Sequence, residues 1–186
     1  MESYKVLGID PGTNILGYAV LEVSGKQLTV KTFGVLHLEK YDDHHDKLKE
    51  IFLQLQEIIE TYRPTSLAIE APFYGKNVQS MLKLGRAQGV SMAAAITMGL
   101  KIQEYAPKKV KQSITGNGNA DKEQVMKMLQ TLLAFKENPR HYDATDALAV
   151  ALCHHFQNSS PLSKAVKGVK GWEDFIKKNP GRIVKK

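Results

Sequence analysis

The sequence predicts an α/β fold, a mixed sheet with helices on its faces. Three observations carry that prediction. Short apolar, β-branched runs joined by tight turns fill residues 4–38. A helical hydrophobic period replaces them at about residue 43. Beyond it, helical patterns and short apolar runs alternate, so three antiparallel strands are followed by strands that return through helices and pair in parallel.

Each element has its own signal. Tyr4–Ile9 reads as a buried strand, and Asp10–Asn14, with Pro11 and Gly12, as a turn. Gly17–Val23 is a second strand, and Ser24–Lys26 turns it into a third, Gln27–Leu38. Leu48, Ile51, Phe52, Leu55, Ile58 and Ile59 recur at helical spacing, which predicts a helix over 43–62 that Arg63-Pro64 ends. Ser66–Ile69 is a four-residue apolar strand running into Glu70. Residues 77–99, rich in Ala, Gly and Met, form a second helix, and Lys101–Tyr105 a fifth strand. Gly116–Asn119 is a loop, Asp121–Phe135 a helix capped by Asn119 or Asp121, and Thr145–Phe156 the last core helix. Asn158–Pro161 reads as a linker, which divides the chain into a domain over 1–157 and a basic tail over 158–186.

The 186 residues suit one domain plus a tail, and the 42% hydrophobic fraction is ordinary for a globular chain. No apolar run approaches the length of a membrane span, the N-terminus lacks the apolar region of a signal peptide, and the single Cys153 has no intrachain partner. Secreted, collagenous and membrane classes are excluded, and a cytoplasmic protein without a membrane partner is expected. Lys and Arg number 26 against 19 Asp and Glu, and the excess is uneven. The tail from residue 161 holds eight basic residues against Glu173 and Asp174, so the preceding 160 residues are nearly neutral. A basic chain fits a polyanionic partner such as nucleic acid, and a solvated tail explains the same charge equally well.

Four acids fall at element ends. Asp10 follows the first strand and Glu70 ends the fourth. Asp143 and Asp146, three apart, share one face at the start of the last helix. If strands one and four are neighbours, the first two acids stand side by side, and a helix entering over that edge completes a cluster. Such a cluster is costly without cations, because like charges raise one another's pKa. It makes sense around divalent ions, of which a pair about 3.5–4 Å apart serves phosphodiester hydrolysis. Taken singly, Asp10 reads as a turn former, Asp143 as a helix cap and Asp146 as a first-turn partner of the helix dipole.

These residues resemble the RuvC family of bacterial Holliday-junction resolvases, within the RNase H-like superfamily. The match runs through Leu7-Gly-Ile-Asp10-Pro-Gly-Thr, Gly17-Tyr, Ala68-Ile-Glu70, Phe73, and Lys83-Leu-Gly-Arg-Ala-Gln-Gly89-Val. It continues through Val110-Lys-Gln112, Gly116-Asn-Gly118, Lys122 and Val125, and closes on Asp143-Ala-Thr-Asp146-Ala-Leu-Ala149. The resemblance covers about 4–156 in order. It implies an RNase H-like five-stranded sheet and a crossover junction endodeoxyribonuclease of recombination and repair. It implies that Asp10, Glu70, Asp143 and Asp146 are both catalytic and metal-binding, with two Mg²⁺ per site and Mn²⁺ as a substitute. Lys111, Lys122 and a junction-inserting Phe73 follow as DNA-binding residues. The partners implied are a four-way DNA junction, a second copy of the chain in a homodimer, and the RuvA–RuvB branch-migration complex. Some members of the family carry His where Asp143 stands, which draws attention to His141 as a neighbour of the site and a donor toward the scissile phosphate.

Other features have ordinary explanations beside the functional ones. Phe73 is a stacking residue or a core aromatic, and Lys111 and Lys122 are phosphate contacts or solvated lysines. Asp42–Asp46, with His44 and His45, reads better as a helix cap and first turn than as a metal patch. Cys153-His-His155 suits a helix end. The small residues of 77–99 pack on their own sheet or on a second copy. In the tail, Trp172, Phe175 and Ile176 form an apolar face among lysines. Two rival functions stand: an RNase H-like nuclease cutting RNA–DNA hybrids, and a junction-binding protein without catalysis.

Overall fold

The computed structural model describes residues 3–72, 77–135, 141–159 and Lys177. The chain divides into two compact units, 1–154 and 155–186. In the first unit five strands form one sheet in the order β3-β2-β1-β4-β5. β1 (Tyr4–Asp10), β2 (Ile15–Ser24) and β3 (Gln27–His37) are an antiparallel meander. β4 (Ser66–Glu70) pairs in parallel with β1, and β5 (Lys101–Tyr105) in parallel with β4. This is the predicted mixed sheet, with β1, β2 and β4 longer by a residue or two, β3 shorter by one and β5 as expected.

The register decides where the site stands. Ile9 lies opposite Ile69, so Asp10 and Glu70 end adjacent parallel strands at the same edge. Asp10 also pairs with Gly17, the third residue of β2. That edge collects the C-terminal ends of the parallel strands, where sites of open α/β sheets form.

One face of the sheet carries α1 (His44–Tyr62) and α2 (Val78–Thr97). Ile51, Leu55 and Ile59 of α1 and Ala87, Ala94 and Ala95 of α2 join Leu7, Ile9, Leu16, Leu67 and Ile69 in the apolar core. Asp43 caps α1, accepting from the His45 backbone N–H at 3.2 Å, with Asp46 in the first turn. The Asp42–Asp46 run is thus a helix start. Arg63 ends α1 in the left-handed region at φ 51°, ahead of Pro64.

α5 (Tyr142–Ser159) crosses the other face, and two glycines let it lie directly on the strands. A Cβ at Gly8 would overlap the Ala147 carbonyl oxygen, and one at Gly17 would overlap the Asp143 carbonyl. Ala144, Ala147 and Ala151 complete the close approach. α5 begins three residues before the expected Thr145, so Asp143 is inside its first turn. The difference arises because Tyr142 and Asp143 have no apolar period of their own and are helical through this docking.

Between β5 and α4 (Lys122–Leu133) stands α3 (Pro107–Thr115), a helix for which the sequence predicts no element. Its apolar content is only Val110 and Ile114, too little for a periodicity to register. Its boundary signals are ordinary ones, Pro107 at the first turn and Gly116 in the left-handed C-cap at φ 77°. α4 opens with a capping box between Asp121 and Gln124, which settles its cap on Asp121 rather than Asn119. In the second unit, the described end of α5 has Ser159 Oγ donating to the His155 carbonyl at 2.6 Å. Trp172, Phe175 and Ile176 lie outside the described residues.

Candidate active site

A cavity of about 300 Å³ opens at the sheet edge, lined by Asp10, Glu70 and Asp146 together with Lys111 and Lys122. β1 supplies Asp10, β4 Glu70, α5 Asp146, α3 Lys111 and α4 Lys122. Pro107, Val110, Val125 and Ala149 form its apolar wall. Five elements distant in sequence therefore meet around one small volume. Asp143 is one turn before Asp146 on α5, and its backbone rests on Gly17, which pairs with Asp10.

The electrostatics are those of crowded carboxylates. Burial pushes Asp10 up to about 8, and the charges of Glu70, Asp146 and Asp143 add to the rise, while Lys122 opposes it. Burial raises Glu70 to about 7, helped by Asp146 and opposed by Lys122 and Lys111. Burial alone would lower Lys122, but its hydrogen bond to Asp146 and the charges of Asp146, Asp143 and Asp10 raise it. Lys122 Nζ donates to Asp146 Oδ2 at 2.7 Å, a half-exposed cation against a mostly buried carboxylate.

The donor set fits a hard divalent cation. Oxygen ligands only, crowded until their protons bind more tightly, are the chemistry that Mg²⁺ or Mn²⁺ offsets. Among the described residues, however, no three His, Cys, Asp or Glu side chains stand together closely enough to hold one ion. The Lys122 ammonium is the cation engaged by Asp146, so binding an ion there requires Asp146 to exchange partners.

Of the other residues singled out, Phe73 lies outside the described residues. His141 packs edge-to-face on His37, with centroids 5.4 Å apart, and does not line the cavity. His37 in turn bonds Glu39 at 2.8 Å. Cys153 is buried, and His154 bonds the Tyr105 hydroxyl at 2.9 Å, so both belong to the α5–β5 packing. The residues that sequence reasoning missed are Pro107 and Val110 of α3, which wall the cavity, and Gly8 and Gly17 as the seat of α5. Their signal was the pairing of small residues on β1, β2 and α5, visible only once the register is known.

A family model described as "Crossover junction endodeoxyribonuclease RuvC" matches residues 6–154. The protein of that description from Cytophaga hutchinsonii is 57% identical over 178 residues, covering 96% of this chain and 87% of the relative. That from Bacteroides fragilis is 54% identical over 180 residues, covering 96% of this chain and 95% of the relative. Among solved structures, Thermus thermophilus RuvC in complex with a Holliday junction substrate superposes with a TM-score of 0.78 at 32% identity, over 83% of this chain and 94% of that one. The yeast mitochondrial resolvase Ydc2 shares the fold, with a TM-score of 0.61 at 13% identity.

Proposed function

Because this chain belongs to the RuvC family of crossover junction endodeoxyribonucleases, we propose that it resolves four-way DNA junctions in recombination and repair, as a homodimer, with its cavity acids as the catalytic centre. It is a metal-dependent nuclease, and the finer reading is two Mg²⁺ per site, with Mn²⁺ able to substitute. The observation that carries this is the convergence of Asp10, Glu70 and Asp146 in one cavity with Lys111 and Lys122.

In this reading Asp10, Glu70, Asp143 and Asp146 are the residues that would hold the metal. When bound, the metal supplies the positive charge that activates the attacking water and stabilises the leaving oxygen. Glu70 accepts a hydrogen bond from the attacking water and orients it. Lys111 and Lys122 draw a phosphodiester into the cavity, where either ammonium can donate to a phosphate oxygen. The apolar wall of Pro107, Val110, Val125 and Ala149 limits bulk water around the acids. The products are a 5′-phosphate and a 3′-hydroxyl. Phe73 stacks at the junction centre, and the RuvA–RuvB complex is the upstream partner. The division into a nuclease domain, 1–157, and a basic tail, 158–186, belongs to the same reading, as does a cytoplasmic location in a bacterium. No helix among the described residues is long and apolar enough to cross a membrane.

The homodimer has support on α2. Val78, Leu82, Gly85, Gly89, Ala93 and Ile96 fall on one helical stripe turned away from the core. Val78, Leu82 and Ile96 are 65%, 59% and 61% exposed, and nothing lies within 4 Å of a Cβ built at Gly85 or Gly89. A flat apolar stripe with small residues at its centre suits a second copy of the same helix.

The deciding experiment is cleavage of a synthetic four-way junction beside linear duplex and RNA–DNA hybrid, with Mg²⁺ and with EDTA. Paired nicks in the junction alone, abolished by EDTA, are expected. Cutting of the hybrid instead, or binding without any nick, would overturn the assignment.

A further inference from the structure

We propose a second phosphate-binding site, built by His44 and Lys47 of α1 with Lys83 and Arg86 of α2, that holds the DNA backbone beyond the catalytic cavity. It rests on the junction-cleaving reading and deepens it.

The four side chains stand on two helices that pack on each other. Burial and the nearby charges of Arg86, Lys83, His45 and Lys47 hold the His44 ring toward its neutral form. No carboxylate among the described residues forms an ion pair with Lys83 or Arg86, and both are exposed. Asp43, at the same helix start, is already engaged by the backbone N–H and ring of His45, at 3.2 and 3.1 Å. Lys83 and Arg86, two cations without an ion pair among the described residues, beside a ring nitrogen without a partner, favour an anion that joins them.

A second observation is independent of charge. His44 Nε2 is buried and has no hydrogen-bond partner. A buried polar nitrogen without a partner is uncommon and costly. A phosphate oxygen drawn between Lys83 and Arg86 supplies the missing acceptor for the Nε2–H tautomer.

Position makes the anion a DNA phosphate. β3 ends at His37, opposite Ile15 at the start of β2, so α1 begins at the edge that carries Asp10. Lys47 Nζ donates to Asn14 Oδ1 at 2.8 Å, tying α1 to the loop that leaves Asp10. α2 begins eight residues after Glu70. The cluster therefore stands at the catalytic edge on the α1–α2 face, and α5 enters the same edge from the other face. A DNA arm leaving the cavity across this edge meets it.

The test is junction binding by the full-length chain in EDTA, followed across salt concentrations. The variants are Lys83→Ala/Arg86→Ala, His44→Ala, and Lys26→Ala as a control in the β2–β3 turn at the opposite end of the sheet. The double variant is expected to bind about tenfold more weakly at moderate salt, with the slope of log K against log salt reduced by about 2 per protomer. His44→Ala should weaken binding a few-fold at unchanged slope, because a neutral donor releases no counterion. Cleavage at saturating protein should be unchanged in both, since neither lines the cavity. A double variant with wild-type affinity and slope would overturn the site, and unaltered affinity in His44→Ala would overturn its buried pocket. Failure of the wild-type chain to bind or cut a junction would instead overturn the reading on which this site rests.

Discussion

Asp10 shows what the site costs the fold. Its carboxyl is raised from 3.8 to about 8, so over that range the folded chain keeps a proton that the unfolded chain has lost. Stability of the metal-free protein should therefore be highest at acid pH and fall as pH rises toward 8. Glu70, raised to about 7, adds in the same direction. The expected drop between pH 5 and 8.5 is roughly 2–4 kcal/mol, or about 5–15 °C in melting temperature, and Mg²⁺ should recover part of it. Calorimetry with and without metal checks this. Asp10→Asn should abolish cleavage while keeping junction binding, and should flatten that pH dependence. An Asp10→Asn chain that nicks at the wild-type rate would remove Asp10 from the site. Lys122 acts oppositely. Lys122→Ala removes the cation paired with Asp146, so metal affinity by titration calorimetry should rise a few-fold while the cleavage rate falls roughly 10–100-fold.

At the scale of elements, the docking of α5 is decisive. Gly17 touches the Asp143 backbone, so a methyl group there must displace the first turn of α5. Gly17→Ala should cost about 2–4 kcal/mol in urea unfolding and move the α5 acids away from Asp10, with cleavage lost. A variant of wild-type stability and rate would show that α5 is not seated this way. α2 raises a separate issue, because Ala87, Ala94 and Ala95 serve its own sheet while Gly85 and Gly89 face outward. Gly89→Lys has room in a single chain and should yield a monomer by sedimentation. Such a monomer should give single nicks in place of paired ones.

At the scale of the whole molecule, one edge of the sheet gathers Asp10, Glu70, Asp146, Lys111 and Lys122 around one cavity. The cavity acids come from the first, middle and last parts of the chain, so the cavity exists only in the folded state and its acids titrate with it. Phe73 is three residues past the end of β4 in sequence. Phe73→Ala should impair cleavage more than binding, because stacking on an unpaired base is worth about 1–3 kcal/mol and holds the junction open. Normal cutting by that variant would return Phe73 to a packing role.

The strands, α1, α2 and α4 were legible in the sequence because each carries a local period, a turn or a cap: the alternation of Gly17–Val23, the spacing of Leu48–Ile59, the Asp121 cap. The acids were legible as residues at element ends, Glu70 above all, because an acid closing the apolar run Leu67–Ile69 has no turn or cap to explain it. α3 and the first turn of α5 were not, because their helical state depends on packing rather than period. The sequence could say which side chains are acidic but not how close they stand. That distance is decided by the parallel register of β1 with β4 and by two glycines that admit α5, and both are contacts between segments far apart in the chain. The pairing of Lys122 with Asp146 is likewise a tertiary matter, since 24 residues separate the two side chains. Local sequence writes the elements; the pairing of distant segments brings their charges together and shifts their protons.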